Sequence, residues 1–166
     1  MHDDKIFSNF AQAGVPLFTS LELQTQTIGA VEFHIVTFNG NFLSPFVLSY
    51  DIAVDLTMHP LRRIVRVSGD LSNPTRLGGP NVIKDIYRSG GPFIGSVSSF
   101  MLNPGTPLAL NETAVHVNDT YLPGGGAAVS ISNTFAQADV PEVASLWLMG
   151  LGLALVARLK RRRPER

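Results

Sequence analysis

The sequence contains no cysteine and one tryptophan, and Asp, Glu, Lys and Arg make up only 16% of its 166 residues. The lack of cysteine excludes disulfide scaffolds, thiol nucleophiles, cysteine-ligated zinc and iron–sulfur clusters. The chain also has no Gly-x-Ser-x-Gly elbow, EF-hand calcium loop or Gly-Lys-Ser/Thr phosphate loop. We therefore predict no cofactor. The length allows one domain, and 15 Gly and 11 Pro make that domain rich in turns.

The formal net charge of zero conceals two unlike parts. Six of the 13 basic residues lie in residues 158–166, which leaves seven basic and twelve acidic residues, a charge of −5, in residues 1–157. A nucleic-acid-binding domain would carry a basic face, so this body argues against a nucleic-acid partner. The basic tail is formed mainly by Arg158, Lys160, Arg161, Arg162 and Arg163. A charge asymmetry of this kind indicates a membrane or targeting function at one end.

An apolar segment stands directly before the basic tail. Val143–Ala157 contains no charge, and we predict one transmembrane helix over residues 143–159. That helix would be about 25 Å long, short for a hydrocarbon core of about 30 Å, so its flanking cations would have to snorkel. A buried core helix is the alternative, but such a helix would show a polar stripe. The positive-inside rule places residues 160–166 in the cytoplasm and the body across the membrane.

The order of Val140-Pro141-Glu142, a short apolar stretch and a terminal arginine cluster resembles the PEP-CTERM sorting domain of exported bacterial proteins. The resemblance covers about residues 139–163. It implies processing by an exosortase, a membrane-embedded transpeptidase or protease, and an exopolysaccharide or biofilm setting. Val143 departs from the family, which usually has a second proline there. Two prolines would hold the motif extended on both sides, so recognition by the enzyme is expected to be weaker here.

The amino terminus does not resemble a signal peptide. Residues 1–13 contain acidic residues and no apolar core of 7–15 residues. We predict an irregular segment there, and hypothesise that the true signal peptide is encoded upstream of Met1.

The body, residues 14–135, is predicted to be all-β. Eight apolar or alternating runs are separated by turn clusters. The runs are Val15–Leu23, Ala30–Phe38, Phe46–Leu56, Ile64–Ser68, Val82–Tyr87, Phe93–Phe100, Ala114–Tyr121 and Ala127–Phe135. Seven or eight short strands favour a β-sandwich, with a barrel as the alternative. Residues 136–142 are predicted to be a linker that carries the sorting motif.

The body also resembles, loosely, the small domain found with many such tails. The likeness lies in Val82–Tyr87, Gly90–Val97, Val115–Tyr121 and Ile131–Gln137. It covers roughly residues 46–139 and implies an exported all-β domain with no catalytic residues.

Several side chains of the body invite a functional interpretation. Alternation predicts that Val31, Phe33 and Ile35 face the core, with Glu32 and His34 in solvent. His116 alternates with Val115 and Val117, which places it on a solvent face. Asp51 and Asp55 would share one strand face about 13 Å apart, too far for a carboxylate pair, so we interpret them as edge charges. Gly124–Gly126 is predicted to be a turn.

Two further groups bear on polysaccharide binding. Arg62, Arg63 and Arg66 form a basic spot, either ordinary surface charge or a contact with an acidic polysaccharide. Tyr50, Tyr87 and Tyr121 are either half-buried packing residues or stacking platforms for sugars.

The sequence thus favours a non-enzymatic exported protein, held in the inner membrane with its body in the periplasm during sorting and then at the cell surface or secreted. Its expected partners are an exosortase, the lipid bilayer and extracellular polysaccharide. The alternatives are a permanently anchored surface protein, a carbohydrate-binding module and a secreted polysaccharide-acting enzyme.

Overall fold

The structure, a computed structural model, describes residues 5–14, 20–72, 79–100, 105–124 and 126–140. Its strands are β1 (Lys5–Ala13), β2 (Ser20–Ile28), β3 (Val31–Phe42), β4 (Phe46–Val54), β5 (Arg62–Ser72), β6 (Asn81–Arg88), β7 (Phe93–Phe100), β8 (Leu108–Glu112), β9 (Ala114–Leu122) and β10 (Ala128–Asp139). The predicted all-β class is confirmed.

Two antiparallel sheets of five strands make up a β-sandwich. The first sheet has the order β1-β4-β9-β6-β7, and the second has the order β2-β3-β10-β5-β8. Consecutive strands are often in different sheets, so most neighbours within a sheet are distant in sequence. The last strand, β10, lies at the centre of the second sheet between β3 and β5.

The core lies between the two sheets and follows from strict alternation along the central strands. Every second residue of β4, from Phe46 to Val54, is buried, and the residues between them are more exposed. Rings from the two sheets meet in the middle, where Tyr50 and Phe135 pack edge to face with centroids 6.3 Å apart. The buried apolar set draws on both sheets throughout, including Val36, Phe42, Ile52, Ile64, Val67, Val82, Ile86, Val115, Val117 and Ile131.

All eight predicted runs overlap an observed strand, and β1 and β8 were missed. The irregular segment predicted at residues 1–13 is wrong for residues 5–13, which form the edge strand β1 beside β4. Asn9 has a φ of 54° and the pairing register shifts between Ser8 and Ala11. This β-bulge interrupts the alternation that a sequence pattern would show. β8 has only five residues, too few for alternation to be distinctive.

The predicted orientation at the start of β3 is wrong. His34 is 1% exposed, whereas Phe33 and Ile35 lie half-buried on the other side of the strand. Val36 is also buried, and it shares a face with His34 because side chains two residues apart point to the same side. The later part of β3 therefore sets which side of the strand faces the core. The amide of Gln137 donates to Nε2 of His34 at 2.9 Å, which satisfies the buried imidazole.

The predicted linker is wrong for residues 136–139, which belong to β10 and pair with both of its neighbours as far as Gln137. The last strand therefore continues to the residue before Val140, where the predicted sorting motif begins. Among the described residues, no helix is long and apolar enough to cross a membrane. The span predicted at residues 143–159 lies outside the described residues.

Candidate functional site

The outer face of the first sheet carries a row of functional side chains that crosses all five strands. Directly opposed residues on neighbouring strands build it, and we call it the His116 row. In order across the sheet it consists of Ser8, Asp51, His116, Tyr87 and Phe93. Opposed residues of antiparallel strands point to the same side, so these side chains line one strip of surface. The prediction that His116 lies on an outer strand face is confirmed, with Val115 and Val117 fully buried on either side.

A second polar row runs beside the first. It consists of Ser49, Asn118, Asp85 and Ser96, again opposed strand by strand, and we call it the Asn118 row. Ser96 donates to the Asp85 carboxylate at 2.7 Å. The side chain of Asn118 makes no hydrogen bond to any described residue. Its amide can therefore both donate and accept toward solvent or a ligand.

Asp51 and His116 form the central pair of the His116 row. Nδ1 of His116 lies 2.7 Å from Oδ1 of Asp51, and the two side chains are 34% and 25% exposed. Asn9 donates to the other carboxylate oxygen at 2.6 Å. The hydrogen bond from Asn9, followed by that from His116, holds the pKa of Asp51 below its ordinary value of 3.8. Asp51 is therefore an ionised acceptor that fixes the orientation of the imidazole.

A shallow depression of about 310 Å³ lies over this pair. Its lining consists of Asp51, Tyr87, Arg88, Gly90, Gly91, His116 and Asn118. The turn at Gly90, which has a φ of 65°, and Gly91 forms one wall. Arg88 is held at the rim by Glu112, whose carboxylate accepts from its guanidinium at 2.9 Å.

An aromatic pair borders the depression. The rings of Tyr87 and Phe93 pack edge to face with centroids 5.4 Å apart, and Tyr87 also lies 6.1 Å from the His116 ring. Phe93 is 55% exposed. The depression thus combines an apolar ring surface with carboxylate, imidazole and amide groups.

The arrangement does not match a hydrolytic triad. In such a triad the histidine stands between the acid and the nucleophile, whereas Ser8 lies opposite Asp51 rather than opposite His116. Within the described ranges, no group of three or more His, Asp and Glu residues could hold a metal ion. Asp51 and His116 therefore form a two-residue pair on an open polar surface.

The interpretation of Asp51 and Asp55 as edge charges on one strand face is wrong. β4 lies inside the first sheet, between β1 and β9. β4 ends at Val54, and Asp55 lies beyond it in a turn, where Oδ1 accepts from the backbone N–H of Thr57 at 2.9 Å. Hydrogen bonds from the side chain and from the backbone N–H of Thr57 lower the pKa of Asp55. Asp55 stabilises a turn and takes no part in the His116 row.

Of the three tyrosines considered as platforms for sugars, only Tyr87 faces outward. Tyr50 and Tyr121 are fully buried, and the hydroxyl of Tyr121 donates to the carbonyl of Phe42 at 2.8 Å. Burial raises the pKa of both phenols, and the charge of Asp119 raises that of Tyr50 further. Both are core residues.

The predicted basic spot is compensated at one of its three arginines. Arg62 forms ion pairs with Glu32 and with Asp139, the second at 3.4 Å. The guanidinium of Arg66 lies 5.3 Å above the ring of Phe33. Arg63 donates to the backbone carbonyls of Pro60 and Arg62, so within the described residues Arg63 and Arg66 keep charges that no carboxylate pairs.

A buried ion pair between the sheets was not predicted at all. Lys84 of β6 and Asp119 of β9 are both 1% exposed and form an ion pair, and Lys84 also donates to Oδ1 of Asn133 from the second sheet. Asn133 and Tyr50 donate to Asp119 at 2.7 and 3.4 Å. Burial lowers the pKa of Lys84, and the charge of Asp119 offsets part of that effect.

This network, defined by Lys84, Asp119, Asn133 and Tyr50, satisfies its own polar atoms. Over the described part of the chain, no buried side-chain nitrogen or oxygen lacks a hydrogen-bond partner. Lys84 and Asp119 lie directly opposite each other on neighbouring strands, on the side that carries the apolar residues. This arrangement can be recognised only when the pairing register of the two strands is known.

Of the predicted sorting residues, the structure describes Val140 alone. Its backbone N–H donates to the carbonyl of Leu61 at 3.0 Å, directly after β10. Pro141, Glu142, Val143 and the cationic residues Arg158, Lys160, Arg161, Arg162 and Arg163 lie outside the described residues. The turn predicted at Gly124–Gly126 agrees with a hydrogen bond from the Gly126 N–H to the Pro123 carbonyl at 2.8 Å.

Comparison with known proteins gives no relative, since no family model and no curated protein matches the chain.

Proposed function

We propose that the chain is an exported β-sandwich protein whose C-terminal segment, from Val140 onward, is a sorting signal of the PEP-CTERM type processed by an exosortase. The body would occupy the periplasm during sorting and then the cell surface or the extracellular matrix. Residues 143–159 would cross the inner membrane, and the cations of the basic tail would stop transfer at its cytoplasmic side.

The observation that carries this proposal is that the last described strand ends directly before the motif. β10 finishes at Asp139, and the buried core between the two sheets is built from strands that precede the motif. An uncharged run of fifteen residues, Val143–Ala157, follows within four positions. A run of that length without a polar stripe supports a membrane as its environment.

The position of the motif determines where the processing enzyme would have to bind. Asp139 is paired with Arg62, and Val140 is tied to Leu61, so Pro141 and Glu142 follow directly after a central strand. An exosortase would have to act at the rim of the folded body, with no spacer between the body and the motif. A permanently anchored protein, which is the competing function, would need no such access.

The test is intact mass of the protein from a bacterium that has an exosortase and from its isogenic strain without one. We expect loss of the residues after about position 141 only when the enzyme is present. Val143→Pro, which restores the second proline, should raise the processed fraction, and Val143→Ala is its matched control. An intact tail in the membrane fraction of both strains would overturn processing and leave the anchored alternative.

A further inference from the structure

We propose that the outer face of the first sheet binds a neutral saccharide at the depression over Asp51 and His116. Tyr87 supplies the surface on which a sugar ring stacks, and Asp51 and Asn118 exchange hydrogen bonds with its hydroxyl groups. This inference stands apart from the sorting signal, because it concerns only residues of the body.

The first argument is the pairing of ring and polar groups. A pyranose ring has a face of C–H groups and a rim of hydroxyls, so a site for it combines an aromatic surface with hydrogen-bonding groups at its border. Tyr87 lies directly between Phe93 and His116 in the His116 row and is the only tyrosine among the described residues that faces outward. Asp51 stands one strand beyond His116, on the far side from the ring.

The second argument is the complementarity of donors and acceptors. The ionised Asp51 carboxylate accepts only, and the amide of Asn118 both donates and accepts. When Nδ1 of His116 donates to Asp51, its Nε2 becomes an acceptor in the neutral imidazole. Sugar hydroxyls are donors and acceptors at once, so each of these groups can be satisfied by one ligand class.

The third argument is shape. The depression is shallow, and its volume of about 310 Å³ is at the small end for a small-molecule site. The His116 row crosses five strands, about 19 Å at a spacing of about 4.8 Å per strand. A flat strip of that length fits several linked sugar units better than one enclosed molecule.

The fourth argument is charge, which favours a neutral saccharide. Asp51 and Asp85 lie in the two rows, and the one nearby arginine, Arg88, is already paired with Glu112. A polymer of uronic acids would meet like charge on this face.

The experiment is affinity electrophoresis of the purified full-length chain in gels that contain dextran, glucomannan or xyloglucan, with alginate as the anionic comparison. We expect at least one neutral polymer to retard the protein, and any retardation by alginate, which the basic tail can cause, to be the same in the variants below. Asn118→Ala removes no hydrogen bond to a described residue, and Tyr87→Ala removes the ring surface. Each substitution should raise the dissociation constant for the retarding neutral polymer about tenfold, which corresponds to about 1.4 kcal/mol of binding free energy.

Phe100→Ala is the matched control, because Phe100 is 52% exposed near the other end of β7, away from the depression. It should bind as the wild type does. Circular dichroism establishes that each variant is folded. The proposal is overturned if no neutral polymer retards the protein, if alginate alone does so, or if Asn118→Ala and Tyr87→Ala both retain wild-type affinity. Sorting of the chain would be unaffected by any of these results.

Discussion

Removing one partner of the buried Lys84–Asp119 pair should destabilise the protein far more than removing both charges together. In Lys84→Met the methionine fills nearly the same volume, but Asp119 remains 1% exposed with no cation beside it. Loss of one partner of a buried ion pair costs about 3–5 kcal/mol, because the other charge stays desolvated. The hydrogen bonds from Asn133 and Tyr50 reduce that cost without cancelling it.

The double variant Lys84→Met/Asp119→Asn tests the effect of the buried charges, because it removes both of them. Its asparagine still accepts from Asn133 or Tyr50, and no ion is left between the sheets. We expect it to be more stable than either single variant, with a coupling of at least about 2 kcal/mol. Asp85→Asn is the matched control, since Asp85 is the next residue along β6 but points outward. Its hydrogen bond to Ser96 is exposed and contributes about 1 kcal/mol or less.

The assay is urea unfolding of the purified full-length chain, followed by circular dichroism at 25 °C, with the midpoint and the slope measured for each variant. A domain of this size has about 5–15 kcal/mol of stability, so both single variants should stay measurable. If a single variant is unfolded without urea, a folded double variant still supports the reasoning. The reasoning is refuted if the loss of unfolding free energy in the double variant equals the sum of the losses in the two single variants within about 0.5 kcal/mol.

Two further predictions concern turns and charge. Gly29→Ala and Gly124→Ala both place alanine at a positive φ, but a Cβ on Gly29 meets nothing within 4 Å, whereas one on Gly124 would lie 2.4 Å from the carbonyl oxygen of Gly79. Thermal unfolding should show a loss of about 1 kcal/mol for the first and clearly more for the second, and equal losses would contradict the steric argument. Asn9→Gly keeps the positive φ acceptable but removes the main cause of the lowered Asp51 pKa. A lowered carboxyl pKa stabilises the fold above its ordinary value of 3.8 and loses that effect as the pH falls through the folded value. The variant should therefore be less stable than wild type at pH 7 and nearly equal to it at about pH 2, and a difference that does not change with pH would count against this cause.

The strands were predictable where turn residues bound an apolar run on both sides, and Phe93–Phe100 agrees with β7 residue for residue. β1 was missed because its bulge at Asn9 changes the face of every residue after it, so no period of two runs through the whole strand. The start of β3 was assigned to the wrong face for a different reason. Apolar residues there occupy both sides of the strand, and the core side is identified by Val36 and Phe38 further along, whose face His34 shares.

The candidate site was only partly predictable. The outward position of His116 follows from its neighbours, but its partner Asp51 is 65 residues away on another strand. Tyr50, Tyr87 and Tyr121 look alike in sequence, and the register alone separates one outward ring from two buried ones. Charges are expected on the surface, so the burial of Lys84 and Asp119 contradicts the simplest reading of the pattern.

The interior pair and the outer face depend on one register. In β9 the buried side chains of Val115, Val117 and Tyr121 set the facing of the strand, and Asp119 shares their side. A slip of one residue would turn Asp119 outward and bury His116 and Asn118. Lys84 would then be buried without its anion, at a cost of several kcal/mol. The register that places Asp119 inward beside Lys84 therefore also places His116 and Asn118 outward, so the Lys84–Asp119 pair adds to the cost of any slip that would destroy the surface on which we place the saccharide.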